Sequence, residues 1–134
     1  MPQHFVHLRA TERTIWQRAL DAGLFPIDSK FQYDLRLGEG MPISPTWPAW
    51  LQTMATELTQ RRGDVVVTTP AAVIIVELKQ RASTSAVGQL LTYRELYRAY
   101  INPNTIPQLA IVATEASFDL AQTLAAFEIN LYLV

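Results

Sequence analysis

Residues 63–79 read GDVVVTTPAAVIIVELK, the strongest indication of a fold in the chain. The β-branched runs 64–69 and 72–79 are separated by Pro70 and Ala71, a pattern that predicts a β-hairpin. The middle of the second run, Val-Ile-Ile-Val, has no polar face, so its strand is expected to be covered on both sides. The hairpin therefore predicts the centre of a buried sheet.

Asp64 and Glu77 are expected to lie opposite each other in this hairpin. Counting outward from the turn pairs residue 64 with residue 77, and opposed residues project from the same face of a sheet. Two like charges in this position are unfavourable unless a cation lies between them. Lys79, two residues beyond Glu77, projects from the same face. Because Mg²⁺ prefers oxygen ligands and activates water for attack on a phosphate, we interpret the three residues as a magnesium-dependent phosphodiester-cleaving site.

The same residues resemble the motif of the PD-(D/E)XK nuclease superfamily. Gly63-Asp64 begins the hairpin, and Val76-Glu77-Leu78-Lys79 ends it. The stretches 75–83 and 86–93 are similar to the catalytic domains of NucS-type and RecB-like nucleases. The resemblance covers about residues 63–113. It implies a restriction-endonuclease-like core, α-β-β-β-α-β, with the acid on the second strand, Glu-x-Lys on the third and a Gln-x-x-x-Tyr helix after it.

The resemblance implies a set of metal ligands. Asp64 and Glu77 would ligate Mg²⁺ or Mn²⁺, and the Leu78 carbonyl would be a further ligand. Glu12, in the first predicted helix, occupies the place where many members of the superfamily have an additional acid. Glu12 has a second interpretation as a first-turn acid that the helix dipole favours.

The resemblance also implies catalytic and nucleic-acid-binding residues. Lys79 would be the catalytic lysine, and Gln89 and Tyr93, one helical turn apart, would border the active site. Gln89 and Tyr93 are equally well explained as ordinary residues of an amphipathic helix. Four arginines are candidates for a phosphate-facing patch: Arg61, Arg62, Arg81 and Arg94. Arg94 is also explained as a solvated helix position.

The rest of the chain alternates helical and extended patterns. Helices are predicted over 11–23, 48–60, 83–100 and 118–127, and further strands over 31–37, 108–113 and 129–134. Thr11 is the predicted cap of the first helix, Gly23 its end, and Arg61–Gly63 the end of the second helix. This order predicts one α/β domain over residues 1–134, with a mixed central sheet flanked by helices.

A segment rich in proline and tryptophan separates the first strand from the hairpin. It covers about residues 38–62 and contains Trp47 and Trp50. The superfamily usually connects these two strands directly, so the segment is a helical insertion. Three roles are open for it: binding DNA, mediating dimerisation, or covering the core.

Composition limits the classes of protein that the chain can belong to. It has 134 residues, of which 49% are hydrophobic and 17% charged, and this excludes a disordered chain. The lack of cysteine excludes disulfides and thiolate zinc sites. The sequence has neither a membrane-length apolar run nor a signal-peptide core, so we expect a cytoplasmic protein without membrane contact. A net charge of −1 argues against non-specific coating of nucleic acid.

The sequence therefore predicts a metal-dependent DNA endonuclease, expected by analogy to be a homodimer. Two rival interpretations stay open. One is a catalytically inactive nuclease-fold module for nucleic-acid binding or protein assembly, which metal-dependent cleavage would exclude. The other is a protein that docks onto a larger machine through the tryptophan-bearing insertion, which salt-dependent DNA binding would exclude.

Overall fold

The structure, a computed structural model, describes residues 8–59 and 61–134, and it describes no side chains over residues 57–63. Its helices and strands are α1 (Ala10–Asp21), β1 (Lys30–Leu37), α2 (Ala49–Thr59), β2 (Arg61–Thr68), β3 (Val73–Ala82), α3 (Thr84–Tyr100), β4 (Gln108–Ala116), α4 (Ala121–Ala126) and β5 (Ile129–Leu133). A 3₁₀ turn, Phe118–Leu120, precedes α4. This is the predicted order of elements, and it confirms the α/β class.

The five strands form one mixed sheet in the order β1-β2-β3-β4-β5. β2 is antiparallel to both β1 and β3, whereas β3, β4 and β5 run parallel to one another. The hairpin has the predicted register, since Val65 pairs with Val76 and Thr68 with Val73. At the turn the Thr69 amide donates to the Ala72 carbonyl at 2.8 Å. β3 therefore lies in the middle of the sheet, as its apolar sequence predicts.

Two apolar clusters cover the two faces of the sheet. The α1 core is formed by Leu8, Ile15, Trp16, Ala19, Val65, Val67, Val76, Leu78, Ala110 and Val112. The α3 core is formed by Leu37, Val66, Ile75, Ala82, Ala86, Val87, Leu90, Tyr93, Tyr97, Leu109, Ile111, Ala113, Leu120, Leu124 and Ile129. The apolar residues of β2 and, up to Leu78, of β3 alternate between the clusters because strand side chains alternate between faces. The predicted flanking of the sheet by helices is confirmed.

β1 changes its buried face at Asp34. Phe31 and Tyr33 pack against the α1 core, whereas Leu35 and Leu37 belong to the α3 side. Asp34 has a φ of +53°, a left-handed conformation that aspartate adopts more readily than most residues. The sequence alternation correctly predicted the strand, but an unbroken alternation would have put all four apolar side chains on one face.

One predicted helix start and one predicted strand start are wrong. The residue that caps α1 is Arg9, and Thr11 lies inside the helix. α2 ends at Thr59, next to the predicted end, but β2 begins at Arg61 and not at Asp64, because Arg61–Gly63 pair with Leu37, Arg36 and Leu35 of β1. Strand pairing between distant residues overrides the local signal there. The predicted end at Gly23 is confirmed, since this residue has a φ of +66° just after the helix.

The insertion between β1 and β2 leaves the sheet at Gly38, whose φ is +85°. It contains α2, on which Trp50 is 64% exposed and Met54 45% exposed. Within the described ranges, no helix is long and apolar enough to cross a membrane.

Candidate active site

The structure brings Asp64, Glu77 and Lys79 together at one end of the sheet. Asp64 immediately precedes the paired residue Val65 on β2, and Glu77 immediately follows Val76 on β3. Glu77 is only 3% exposed, because β3 is flanked by β2 and β4 and covered on both faces. The geometry predicted from the hairpin, two carboxyl groups on neighbouring strands, is present.

A hydrogen bond joins the two strands at this level. The backbone amide of Leu78 donates to the Oδ2 atom of Asp64 at 2.9 Å. A carboxylate that accepts a backbone hydrogen bond is held in one orientation, and its charged form is favoured. The bond therefore orients the Asp64 carboxylate beside Glu77.

Lys79 is the cation nearest to this pair among the described contacts. Its Nζ atom lies 3.5 Å from the Oε1 atom of Glu77, and its side chain is 32% exposed. By contrast, no hydrogen-bond donor of the described residues reaches the buried Oε2 atom of Glu77. A buried carboxyl oxygen without a donor is costly, which indicates that this atom is suited to a ligand.

Both acids have raised pKa values. Burial and, after it, the negative charge of Asp64 raise the pKa of Glu77 to about 9, and Lys79 opposes the shift. Burial also raises the pKa of Asp64, and the hydrogen bond from Leu78 opposes this shift. Without a metal ion, the folded protein therefore favours the neutral form of Glu77. Two carboxyl groups that cannot both ionise by themselves form a site in which a divalent cation is favourable.

The residues present fit a magnesium site in which waters and substrate phosphates supply the remaining ligands. The described part of the chain contains no group of three or more His, Cys, Asp or Glu residues that could hold a metal ion. Mg²⁺, however, is commonly bound by one or two carboxylates together with waters and substrate phosphates. Asp64 and Glu77 supply such a pair of oxygen ligands. The resemblance also implied the Leu78 carbonyl as a metal ligand. The contact described for Leu78 at this site is made by its amide, and the role of its carbonyl stays a prediction.

Glu12 lies close enough to Asp64 for its charge to raise the pKa of that residue. Its Oε2 atom accepts a hydrogen bond of 3.1 Å from the Arg9 amide, in the first turn of α1. This contact agrees with the interpretation of Glu12 as a helix-capping acid. A role as metal ligand stays a prediction.

The predicted helix residues line the same face of the sheet. Tyr93 is 5% exposed and belongs to the α3 core. The Oε1 atom of Gln89 is buried and has no hydrogen-bond partner among the described residues. A buried oxygen without a partner is unusual, and a role for Gln89 at the active site stays a prediction.

The candidate arginines are placed differently from one another. Arg81 lies 3.6 Å from Glu115, with both side chains 59% exposed. Arg94 lies 3.7 Å from its neighbour Glu95. The side chains of Arg61 and Arg62 lie outside the described residues. Each of the two described arginines is thus partly neutralised by an acid. Exposed ion pairs contribute little free energy, so exchanging the acid for a phosphate costs either arginine little.

Sequence reasoning missed Asp34 as a residue of this region. On β1 it lies between Tyr33 and Leu35, whose partners on β2 are Val65 and Gly63. Asp34 therefore occupies the position of β1 opposite Asp64. The only signal in the sequence was an aspartate inside a strand, where this residue type is depleted.

The fold is similar to that of two solved structures. A repair endonuclease from Pyrococcus abyssi matches 98% of this chain with a TM-score of 0.54 and 12% sequence identity. The structure of an EndoMS–dsDNA2 complex matches 98% of it with a TM-score of 0.57 and 14% identity. This chain spans about half of each of those chains, 49% and 48%. No protein-family model and no curated protein matches the sequence. The structural matches show a restriction-endonuclease-like nuclease fold.

Proposed function

We propose that this chain, with its restriction-endonuclease-like fold, is a metal-dependent deoxyribonuclease that hydrolyses phosphodiester bonds at Asp64 and Glu77. The observation that carries the proposal is the buried pair of acids, with the Oε2 atom of Glu77 lacking a donor and Lys79 3.5 Å from its Oε1 atom. The similar structures, described as a repair endonuclease and an EndoMS–dsDNA2 complex, support DNA as the substrate class.

Each residue of the site has a role in this proposal. Asp64 and Glu77 would hold Mg²⁺ or Mn²⁺, which when bound supplies an activated water and offsets the phosphate's negative charge. The Leu78 amide keeps the Asp64 carboxylate in place. Lys79, partly exposed beside Glu77, would stabilise charge that develops on the phosphate. Gln89, with its unpartnered buried oxygen, would orient water or substrate.

The test is cleavage of labelled DNA, as linear duplex, branched duplex and single strand, in Mg²⁺, in Mn²⁺ and in EDTA. Wild type should cleave at least one substrate when metal is present. Asp64→Ala, Glu77→Ala and Lys79→Ala should each lose cleavage while their far-UV circular dichroism stays that of wild type. Asp28→Asn, which removes an exposed acid between α1 and β1, is the matched control and should cleave normally.

Two outcomes would reject nuclease activity. Equal cleavage by wild type and Glu77→Ala would mean that a contaminant cleaves the DNA. Tight DNA binding without cleavage in Mn²⁺ would favour the inactive nuclease-fold module instead.

We also propose that the protein is a homodimer. This chain spans only about half of the length of the similar structures. A DNA duplex has two strands, and a second copy of the chain would supply a second site for the second strand. Light scattering coupled to size exclusion should give twice the mass of 15.1 kDa. A mass of one chain at micromolar concentration would contradict this.

A further inference from the structure

A cleft lies between α1 and the ends of β3 and β4, beside the candidate active site. Its volume is about 480 Å³, and it is lined by Ala10, Thr11, Thr14, Ile15, Arg18, Gln80 and Thr114. The residues from α1 are spaced so that they share one face of the helix. This volume lies within the range of small-ligand sites.

Gln80 and Thr114 lie at a gap in the described strand pairing. Lys79 pairs with Ala113 and Arg81 with Glu115, and Gln80 and Thr114 lie between these pairs. Because strand side chains alternate between faces, both residues project from the same face as Leu78 and Val112 of the α1 core. Both side chains are exposed and line the cleft.

The cleft and the acidic pair lie on opposite faces of the same part of β3. Gln80 directly follows Lys79, which contacts Glu77, and successive strand residues project from opposite faces. Glu12, one residue from Thr11 on α1, acts electrostatically on Asp64. A nucleic-acid strand carries one phosphate for every ~3.4 Å of helix axis, so a strand that crosses this end of the sheet presents several phosphates to it.

The chemistry of the lining suits an anion. No lining residue is an acid, and Arg18 forms no ion pair within the described part of the chain. The side chains of Thr11, Gln80 and Thr114 are exposed and free of described hydrogen bonds, so their donors are available. Thr14 differs, since its hydroxyl donates to the Ala10 carbonyl at 3.2 Å. Arginine, threonine and glutamine are ordinary contacts for backbone phosphates.

We propose that this cleft binds a backbone phosphate of the DNA strand lying across Asp64 and Glu77, with Arg18 as the charged contact and Thr11, Gln80 and Thr114 as neutral donors. The proposal rests on the proposed function for its ligand. It adds a second anchoring point, on the α1 side of the sheet, that would fix how the strand passes the site.

The experiment measures binding of a fluorescent DNA duplex by anisotropy at several salt concentrations, with Ca²⁺ in place of Mg²⁺. Arg18→Gln should weaken binding by roughly tenfold at low salt and reduce the slope of log K against log salt by about one. Thr114→Val should weaken binding less and leave the slope unchanged. Lys30→Gln is the matched control and should bind as wild type, because Lys30 is an exposed cation at the hairpin-turn end of the sheet.

The outcomes separate this proposal from the proposed function. If Arg18→Gln and Lys30→Gln bind with the affinity and salt slope of wild type, the phosphate site is rejected even in an active nuclease. An equal loss in both variants would also reject it, since the effect would be one of net charge. If wild type binds DNA without cleaving it, catalysis is rejected, and a selective loss in Arg18→Gln still supports the cleft. Thermal unfolding of each variant excludes loss of fold.

Discussion

The side chain of Asp64 accepts a hydrogen bond of 2.9 Å from the backbone amide of Leu78, the residue between Glu77 and Lys79. The described pairing of β2 and β3 ends one residue earlier, at Val65 and Val76. A side chain thus continues the connection between the strands where the ladder stops. The acid that would hold a metal is therefore also part of the structure that aligns the site.

Replacement of Asp64 should separate its charge from its hydrogen bond. In metal-free buffer, Asp64→Ala leaves the Leu78 amide without its acceptor, whereas Asp64→Asn keeps an oxygen there. Both variants remove the negative charge of Asp64. We expect Asp64→Ala to be less stable than Asp64→Asn by about 1–2 kcal/mol in urea unfolding. Equal stabilities would show that the hydrogen bond contributes nothing to folding.

The stability of the metal-free protein should fall as pH rises. Glu77 has an ordinary pKa of 4.5 when unfolded and about 9 in the folded protein, so between these values the folded state holds a proton that the unfolded state has lost. The contribution of this group is therefore present below pH 4.5 and is lost as pH rises towards 9. Urea unfolding in EDTA at a series of pH values should show this slope, and Glu77→Gln should reduce it. If the stability of wild type and of Glu77→Gln changes with pH in the same way, Glu77 is not protonated in the folded protein.

Divalent metal should stabilise the folded protein even without DNA. A ligand that binds only the folded state at 100 times its dissociation constant stabilises it by about 2.7 kcal/mol. Thermal unfolding should therefore shift upward by several degrees when millimolar Mg²⁺ or Mn²⁺ replaces EDTA. Asp28→Asn should keep this shift, and Glu77→Gln should lose it. The same shift in Glu77→Gln would place the binding elsewhere on the chain.

Two glycines with left-handed backbones should differ in their tolerance of alanine. Gly23 and Gly38 have φ values of +66° and +85°, so alanine is strained at both. A Cβ atom at Gly23 meets nothing within 4 Å, whereas at Gly38 it would lie 3.3 Å from the Leu96 Cδ2 atom. Gly38→Ala should therefore destabilise the protein more than Gly23→Ala, by about 1 kcal/mol in urea unfolding. An equal cost would show that Leu96 moves aside freely.

The hairpin and its register were predictable because they are local. A short turn between two β-branched runs leaves one way to count the pairs, and the observed pairing of Val65 with Val76 follows from it. The burial of β3 was predictable as well, since a strand without a polar face requires cover on both sides. The juxtaposition of Asp64 and Glu77 depends on these two features alone.

The surroundings of the pair were not predictable from local patterns. Arg61–Gly63 looked like a helix end and became strand through pairing with β1. Asp34 looked like one polar position in a regular alternation, and its left-handed backbone moves Leu35 and Leu37 to the other face. Arg18 had no distinguishing signal, because only the packing of α1 against the ends of β3 and β4 makes it line a cleft.

Local residue spacing was enough to predict the order of elements, the hairpin register and the pair of acids, since each depends on residues near one another in the chain. Only contacts of the folded protein explain the reversal of β1, the start of β2 and the cleft around Arg18. These features arise where elements distant in sequence meet, and there the free energy of long-range pairing and packing exceeds local propensity.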